Sequence, residues 1–275
     1  MTDQSSSHPF RVALCQLAIG DDPARNLAAI EASLAECDAD LAVFPEASLV
    51  RFGNDLVAAA QPLDGEFVTG LREAARRHSI AVVAGTFEPA DSGRVHNTAV
   101  VVDAEGELVG SYRKIHLFDA FAFSESDTVS PGREPLVVDV GRKIGLVTCY
   151  DLRFPELFRS LVDRGAEMFV VIAAWTPGPY KEDHWITLAR ARAIENTMWT
   201  VAVGKAPEIE PPPSGGPTGI GRSLLIDPMG VVRTDLGGFP GTAVGTVDDD
   251  ATERIRRLLP SASHRRIAIG EVTEN

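Results

Sequence analysis

Cysteine is scarce in this chain, with Cys15, Cys37 and Cys149 the full complement. An odd count without Cys-x-x-Cys spacing argues against a disulfide framework or a zinc knuckle and leaves room for one reactive thiol. Long apolar runs are missing too. The longest, such as Met168–Trp175, fall far short of the roughly 20 residues a membrane helix needs. Residues Met1–Pro9 are polar and serine-rich, without the apolar stretch or basic flank of a signal peptide. They read as a loose tail, and the protein is expected to be cytoplasmic. Positive charge is in deficit: 26 Lys and Arg against 39 Asp and Glu give a net charge of −13. Nucleic acids and anionic membranes are recognised through basic patches, so neither is an expected partner. His96 and His116 lack a second histidine or carboxylate at ligand spacing, so no metal and no cofactor is expected.

What is present is enough for one large domain: 275 residues, 44% of them hydrophobic. Apolar periodicity alternates between two and 3.6 along the chain. Strands are predicted at Phe10–Ala18, Leu41–Phe44, Ile80–Thr86, Asn97–Asp103 and Glu107–Lys114, then at Leu136–Val140, Lys143–Thr148, Met168–Ala174, Thr200–Gly204, Ser223–Asp227 and Thr242–Val247. Helices are predicted at Asn26–Cys37, Glu66–His78, Pro155–Arg164, Asp183–Met198 and Ala251–Leu259. The Pro/Gly-rich stretch Glu208–Gly219 reads as a surface excursion, because the strands on both sides of it need sheet partners. Strands and helices mixed throughout imply an α/β layered sandwich. One domain over residues 10–266 is expected, with a C-terminal tail at 267–275.

Three strand ends carry chemistry. Lys143–Thr148 is an apolar strand, and a helix begins at Pro155, where proline fits the first turn. Cys149 sits between them, at a strand-to-helix turn where backbone N–H groups converge and a thiolate is favoured. The alternative is a small core residue, since free cysteine is often buried. Phe44-Pro45-Glu46 ends a second strand with a carboxylate, where α/β sheets usually place ligands. Tyr112-Arg113-Lys114-Ile115-His116-Leu117-Phe118 ends a third with an ammonium. Each is weak alone, because charged residues terminate many strands. Together they supply a nucleophile, a base and a charge stabiliser that need only meet in space.

These segments, in this order, resemble the carbon–nitrogen hydrolase (nitrilase) superfamily. The likeness extends through Cys149-Tyr150-Asp151-Leu152-Arg153-Phe154-Pro155-Glu156, the Ala191–Asn196 segment and the Gly221–Gly230 segment, and spans roughly Phe10 to Arg266. It implies a single-domain, four-layer α-β-β-α sandwich assembled as a homodimer or larger homo-oligomer. It implies Glu46 as base, Lys114 as stabilising cation and Cys149 as nucleophile. Phe123-Ser124-Glu125-Ser126, with Pro131-Gly132 beyond, matches the family segment that adds a second glutamate, Glu125. The resemblance is to the amidase branch, ω-amidases and deaminated-glutathione amidases included. The expected reaction is hydrolysis of a small, carboxylate-bearing amide through a cysteine thioester, releasing ammonia or an amine.

Around this core, the Tyr150 backbone N–H is a candidate oxyanion donor, and Trp175, His184 and Arg222 are candidate substrate contacts. A substrate carboxylate wants a cation at its far end, ideally arginine, which makes Arg51 and Arg222 the candidates for that role. Asp151 and Arg153 are expected to fix the turn by pairing, and His116 to support the lysine segment. Cys15 and Cys37 read as core thiols. Three other readings remain in view. An N-carbamoyl hydrolase would use the same residues. A papain-like enzyme would need His116 or His184 as base. A non-catalytic binding protein on this fold predicts loss of at least one of Glu46, Lys114 and Cys149, and all three are present.

Overall fold

The computed structural model describes residues 9–91, 93–121, 123–207 and 218–269. The Met1–Pro9 tail (Pro9 excepted), most of the Glu208–Gly219 stretch and the last six residues lie outside that set. In chain order the elements are β1 (Phe10–Gln16), α1 (Pro23–Ala35), β2 (Leu41–Val43), α2 (Leu56–Ala59), α3 (Glu66–His78), β3 (Ala81–Pro89), β4 (Val95–Val102) and β5 (Leu108–Arg113). A short hairpin follows, β6 (Asp119–Ala120) and β7 (Phe123–Ser124), then β8 (Val137–Asp139), β9 (Lys143–Thr148) and α4 (Pro155–Asp163). The chain continues through β10 (Met168–Ala173), α5 (Lys181–Asn196), β11 (Trp199–Gly204), β12 (Leu224–Ile226), β13 (Val232–Asp235), β14 (Gly241–Val247) and α6 (Asp249–Leu258).

The strands form two six-stranded sheets, ordered β14-β1-β2-β3-β4-β5 and β13-β12-β11-β10-β9-β8. The central strands of each, β1-β2-β3 and β9-β10-β11, are parallel, and the outer pairings are antiparallel. Strand periodicity divides the first sheet's side chains. Val12, Leu14, Val43, Val83 and Val101 pack with Leu146, Val170, Ile172 and Val203 of the second sheet in one core. Their neighbours Ala13, Cys15, Ala42, Val82 and Val100 face the other way, onto Ile30 and Leu34 of α1 and Phe67, Leu71 and Ala75 of α3. Helices α4 and α5 cover the far side of the second sheet, with Phe158 edge-on to Phe169 at 4.9 Å between ring centroids. The result is the four-layer α-β-β-α sandwich expected from the sequence.

Local signals explain the helix limits. The Asp22 carboxylate accepts from the Ala24 and Arg25 N–H groups, and Pro23 occupies the first turn of α1. Helix α1 therefore starts three residues before the apolar periodicity becomes visible. Helix α3 opens on Glu66 and closes on Arg76, Arg77 and His78, charges that complement its dipole at both ends. No helix among the described residues is long and apolar enough to cross a membrane.

Candidate active site

One cavity brings the strand ends together. It is lined by Glu46 beyond β2, Lys114 beyond β5, Cys149 beyond β9 and Ala174 and Trp175 beyond β10, with Glu125 from the segment after β7. Three of these strands belong to the parallel centres of the two sheets, so the cavity lies at their carboxyl ends, where crossover geometry leaves a crevice. Its empty volume is about 390 Å³, counting the solvent at its mouth.

Cys149 begins a 3₁₀ turn, Cys149–Arg153, with φ +50°, a left-handed backbone conformation costly for a residue with a Cβ. Asp151 holds that turn in place. Its Oδ2 accepts from the Thr148 N–H at 3.1 Å and the Tyr112 hydroxyl at 2.7 Å. Its Oδ1 accepts from the His116 backbone N–H at 2.9 Å and contacts His116 Nδ1 at 2.7 Å. A single buried carboxylate thus ties the cysteine turn to the segment carrying Lys114. His116 also stacks flat on Phe154, 3.7 Å between centroids, and supports the lysine segment as expected.

The two glutamates share their donors. Glu46 Oε1 accepts from Asn97 Nδ2 at 2.7 Å and Lys114 Nζ at 3.2 Å, and its Oε2 accepts from the Ala174 N–H at 2.7 Å. Glu125 accepts from Lys114 Nζ at 3.0 and 2.7 Å, from Asn97 Nδ2 at 3.1 Å and from the Phe118 N–H at 2.7 Å. All three charged groups are almost fully enclosed: Glu46 is 1%, Lys114 2% and Glu125 3% exposed. Burial alone would discharge the ammonium, but Glu125 and Glu46 outweigh it and hold the Lys114 pKa well above its ordinary value. Two glycines let the backbone close around this cluster. A Cβ on Gly85 would lie 2.4 Å from the Ala47 nitrogen and 2.8 Å from Glu46 Cα. The Gly132 N–H donates to the Lys114 carbonyl at 2.8 Å, and a Cβ there would lie 2.1 Å from the Arg113 oxygen. The Pro131-Gly132 step of the sequence therefore has a packing cause.

The structure changes the reading of Cys149 in one respect. Burial pushes its thiol well above the usual value, the charge of Glu46 pushes it further, and Lys114 offsets only part of this. Both influences, burial and the Glu46 charge, favour the thiol form of Cys149 over the thiolate that the strand-to-helix turn alone would favour. Such a thiol needs a base in contact with it to react at neutral pH.

Six of the eight site residues singled out in the sequence line this cavity: Glu46, Lys114, Glu125, Cys149, Tyr150 and Trp175. Two are placed elsewhere. Arg222 pairs with Glu182 at 2.7 Å and Asp235 at 2.6 Å, joining the start of α5 to β13. His184 stands behind the wall, its Nδ1 accepting from Arg153 Nη2 at 3.4 Å. Neither His116 nor His184 lines the cavity, which leaves a papain-like histidine base without a position there. Arg51 is engaged by Asp21 through Nε at 2.5 Å and Nη2 at 2.7 Å. Arg153 does not pair with Asp151; it faces the cavity, as do Phe118 and Lys181, which sequence reasoning passed over. Asn97 was missed as well, although a buried asparagine amid the β-branched residues of a strand is itself a signal. Among the described residues no group of three or more His, Cys, Asp or Glu is placed to hold a metal ion.

Comparison with known proteins decides the family. The carbon–nitrogen hydrolase family model matches residues 11–257. The chain belongs to the carbon–nitrogen hydrolase family. It lies in the amidase branch with deaminated-glutathione amidases and ω-amidases. The deaminated glutathione amidase of Escherichia coli O157:H7 is 40% identical over 246 residues, covering 88% of this chain and 90% of that one. Saccharomyces cerevisiae Nit3, of branch 10 of the nitrilase superfamily, superposes with a TM-score of 0.82 at 27% identity, covering 92% of this chain and 95% of that chain. The amidase from Nesterenkonia sp. AN1 superposes with a TM-score of 0.77 at 28% identity, covering 90% and 94%. A glutamate-to-glutamine variant of that amidase carries a covalent acetamide adduct on its active-site cysteine. This carbon–nitrogen hydrolase is accordingly an amidase-type enzyme and not a peptidase.

Proposed function

We propose that this hydrolase cleaves the amide of a small, carboxylate-bearing molecule through a thioester on Cys149. The observation that carries the reading is that the side chains of Cys149, Glu46, Glu125 and Lys114 line a single cavity, the last three of them buried. In the proposed sequence Glu46 takes the Cys149 proton as sulfur attacks the amide carbonyl. The developing oxyanion is met by Lys114 and the Tyr150 N–H, donors whose effect is strong in a water-poor site. Collapse breaks the C–N bond, and the proton on Glu46 leaves with ammonia or the amine. Glu46 then takes one proton from the water that hydrolyses the thioester and returns it to sulfur, and the acid product loses its remaining proton to solvent and departs as the carboxylate. Glu125 keeps Lys114 charged and aimed, through the contacts it makes with Nζ.

The covalent acetamide adduct on the cysteine of the Nesterenkonia amidase, formed from fluoroacetamide, supports a nucleophilic role for the matching Cys149. An ammonia-release screen over ω-amides of keto acids and dicarboxylic acids, simple aliphatic amides, N-carbamoyl compounds and nitriles tests the substrate reading. ω-Amides are expected to give the highest kcat/KM. Preferential turnover of N-carbamoyl compounds would move the enzyme to the carbamoylases, and turnover of none would defeat the proposal. We further propose a homodimer or larger homo-oligomer, because exposed Ile194, Met229, Leu258 and Leu259 cluster around the carboxyl end of α5. There Ser261 Oγ donates to the Glu195 carbonyl and Arg190 Nε to that of Gly230. Light scattering on the purified protein checks it, and a monomeric mass would contradict it.

A further inference from the structure

Asn97 is a fully buried polar side chain on β4, where Thr98, Val100, Val101 and Val102 are the residue types a strand favours. Its Nδ2 donates to Glu46 Oε1 at 2.7 Å and to Glu125 Oε1 at 3.1 Å. Both N–H bonds of the amide are therefore spent on carboxylates. The same two oxygens accept from Lys114 Nζ at 3.2 and 3.0 Å, so each lies between an ammonium and an amide. The Asn97 carbonyl also accepts from the Lys114 backbone N–H at 2.8 Å. One residue thus touches the base, the second glutamate and the cation.

The other end of that amide is unsatisfied. Asn97 Oδ1 is buried and has no hydrogen-bond partner among the described residues. An open buried acceptor is costly, and an asparagine serving only the strand would satisfy both ends. Turning the amide over gives no relief, because its oxygen would then face two carboxylate oxygens. The side chain gives up one end in order to donate twice from the other. Charge explains the need for two donors. Two carboxylates lie together with one ammonium between them, and carboxylates that share a site tend to retain a proton. A protonated Glu46 could not take the Cys149 proton. Hydrogen bonds from a neutral amide favour the ionised form of both groups without adding charge.

We infer that Asn97 is a positioning residue that keeps the Glu46 and Glu125 carboxylates together and both free of protons, so that Glu46 is ready to act as base. The inference rests on the reaction proposed above. Asn97 is not part of the cavity lining and acts through the glutamates. Besides Glu125, the titratable groups that face Glu46 are Lys114 beyond β5 and Cys149 beyond β9. Arg153 of the cysteine turn and Lys181 of α5 complete the charge on the cavity wall. None of these is altered when Asn97 is replaced.

The test compares wild type with Asn97→Leu, which keeps the side-chain outline and removes both donors. kcat/KM is measured by ammonia release from pH 4.5 to 9 with butyramide and with succinamate. Each enzyme meets the same substrates, so any titration of the substrate cancels in the comparison. The acid limb of Asn97→Leu should lie about one pH unit or more above that of wild type, and kcat/KM should recover to within about tenfold on the plateau above it. Adding Glu125→Gln to Asn97→Leu removes the second carboxylate and should bring the limb back down. Asn97→Asp, of the same outline, replaces donors by an acid and should move the limb up as well, which covers the case of a leucine variant that does not fold. A fall in kcat/KM at every pH with the limb unmoved is what a merely structural role gives, and it overturns the inference. So does a limb that rises in Asn97→Leu and stays there when Glu125→Gln is added. Glu46→Gln separates this idea from the one beneath it. If Glu46→Gln is inactive while the limb of Asn97→Leu is unmoved, the reaction stands and the inference falls. If Glu46→Gln works within tenfold of wild type, the proposed reaction falls, whatever Asn97→Leu shows.

Discussion

Replacing Glu46 by glutamine removes one charge and one acceptor from a site that has three donors aimed at it. Oε1 faces Asn97 Nδ2 and Lys114 Nζ, and Oε2 faces the Ala174 N–H. A glutamine offers a single acceptor oxygen, so its NH₂ must point at a donor whichever way the amide sits. The donor left without a partner costs about 1–3 kcal/mol of stability. Catalysis should lose more. A positioned general base contributes about 10²- to 10⁴-fold, or roughly 3–5 kcal/mol of barrier at 1.36 kcal/mol per decade. The same substitution removes a charge that raises the Cys149 pKa, so the thiol becomes the stronger acid. Two readouts should then part company. The pH midpoint for alkylation of Cys149 by iodoacetamide moves down, while single-turnover ammonia release falls by about 10²- to 10⁴-fold. Hydrolysis within tenfold of wild type would refute Glu46 as the base.

Lys114→Met leaves Glu46 and Glu125 buried with only donors of weaker charge, and should cost about 3–5 kcal/mol in urea denaturation at pH 7. Because the Lys114 pKa is raised in the fold, its contribution is complete below the unfolded-state pKa of about 10.4. It is lost only as pH rises above that value through the folded-state pKa, so a wild-type advantage that fades between pH 7 and 9 would contradict the sign. Asp151→Ala strips the acceptor from Tyr112, His116 and Thr148 at once. It should lower stability by about 3 kcal/mol or more and reduce kcat, and an unchanged urea midpoint would show that the tie is dispensable. Gly85→Ala drives a methyl into the Glu46–Ala47 backbone. Displacement of about 1 Å costs on the order of 10²-fold in rate, so kcat/KM should fall well over tenfold, and full activity would mean the turn relaxes freely.

Much of this architecture was legible because strong local signals coincide with tertiary ones. The predicted limits of α3 and β9, Glu66–His78 and Lys143–Thr148, match the structure, the first through its charged ends and the second through its apolar run. Glu46, Lys114, Glu125 and Cys149 were visible as chemistry at strand ends or in family segments, and the fold brings them to one cavity. Strand β13 was not read: four residues alternating between half-buried and exposed give too little periodicity. Arg153 was misassigned for a geometric reason, since residues two apart in a helical turn do not face each other. Asp151 turns inward to the backbone and Arg153 outward to the cavity. The fate of Arg222 depends on Glu182 and Asp235, partners forty and thirteen residues away, a pairing no local pattern encodes. Lys181 is brought over rings of the β6–β7 hairpin and the end of β10 by the fold alone.

The central claim is a covalent acyl group on Cys149. Rapid acid quench of the enzyme during turnover of an ω-amide, followed by peptide mass spectrometry, reads it directly. The proposed sequence predicts an acyl mass on the peptide bearing Cys149, absent from Cys149→Ala, whose ammonia release falls by several orders of magnitude. Full turnover by folded Cys149→Ala, or an acyl group confined to another residue, would contradict it.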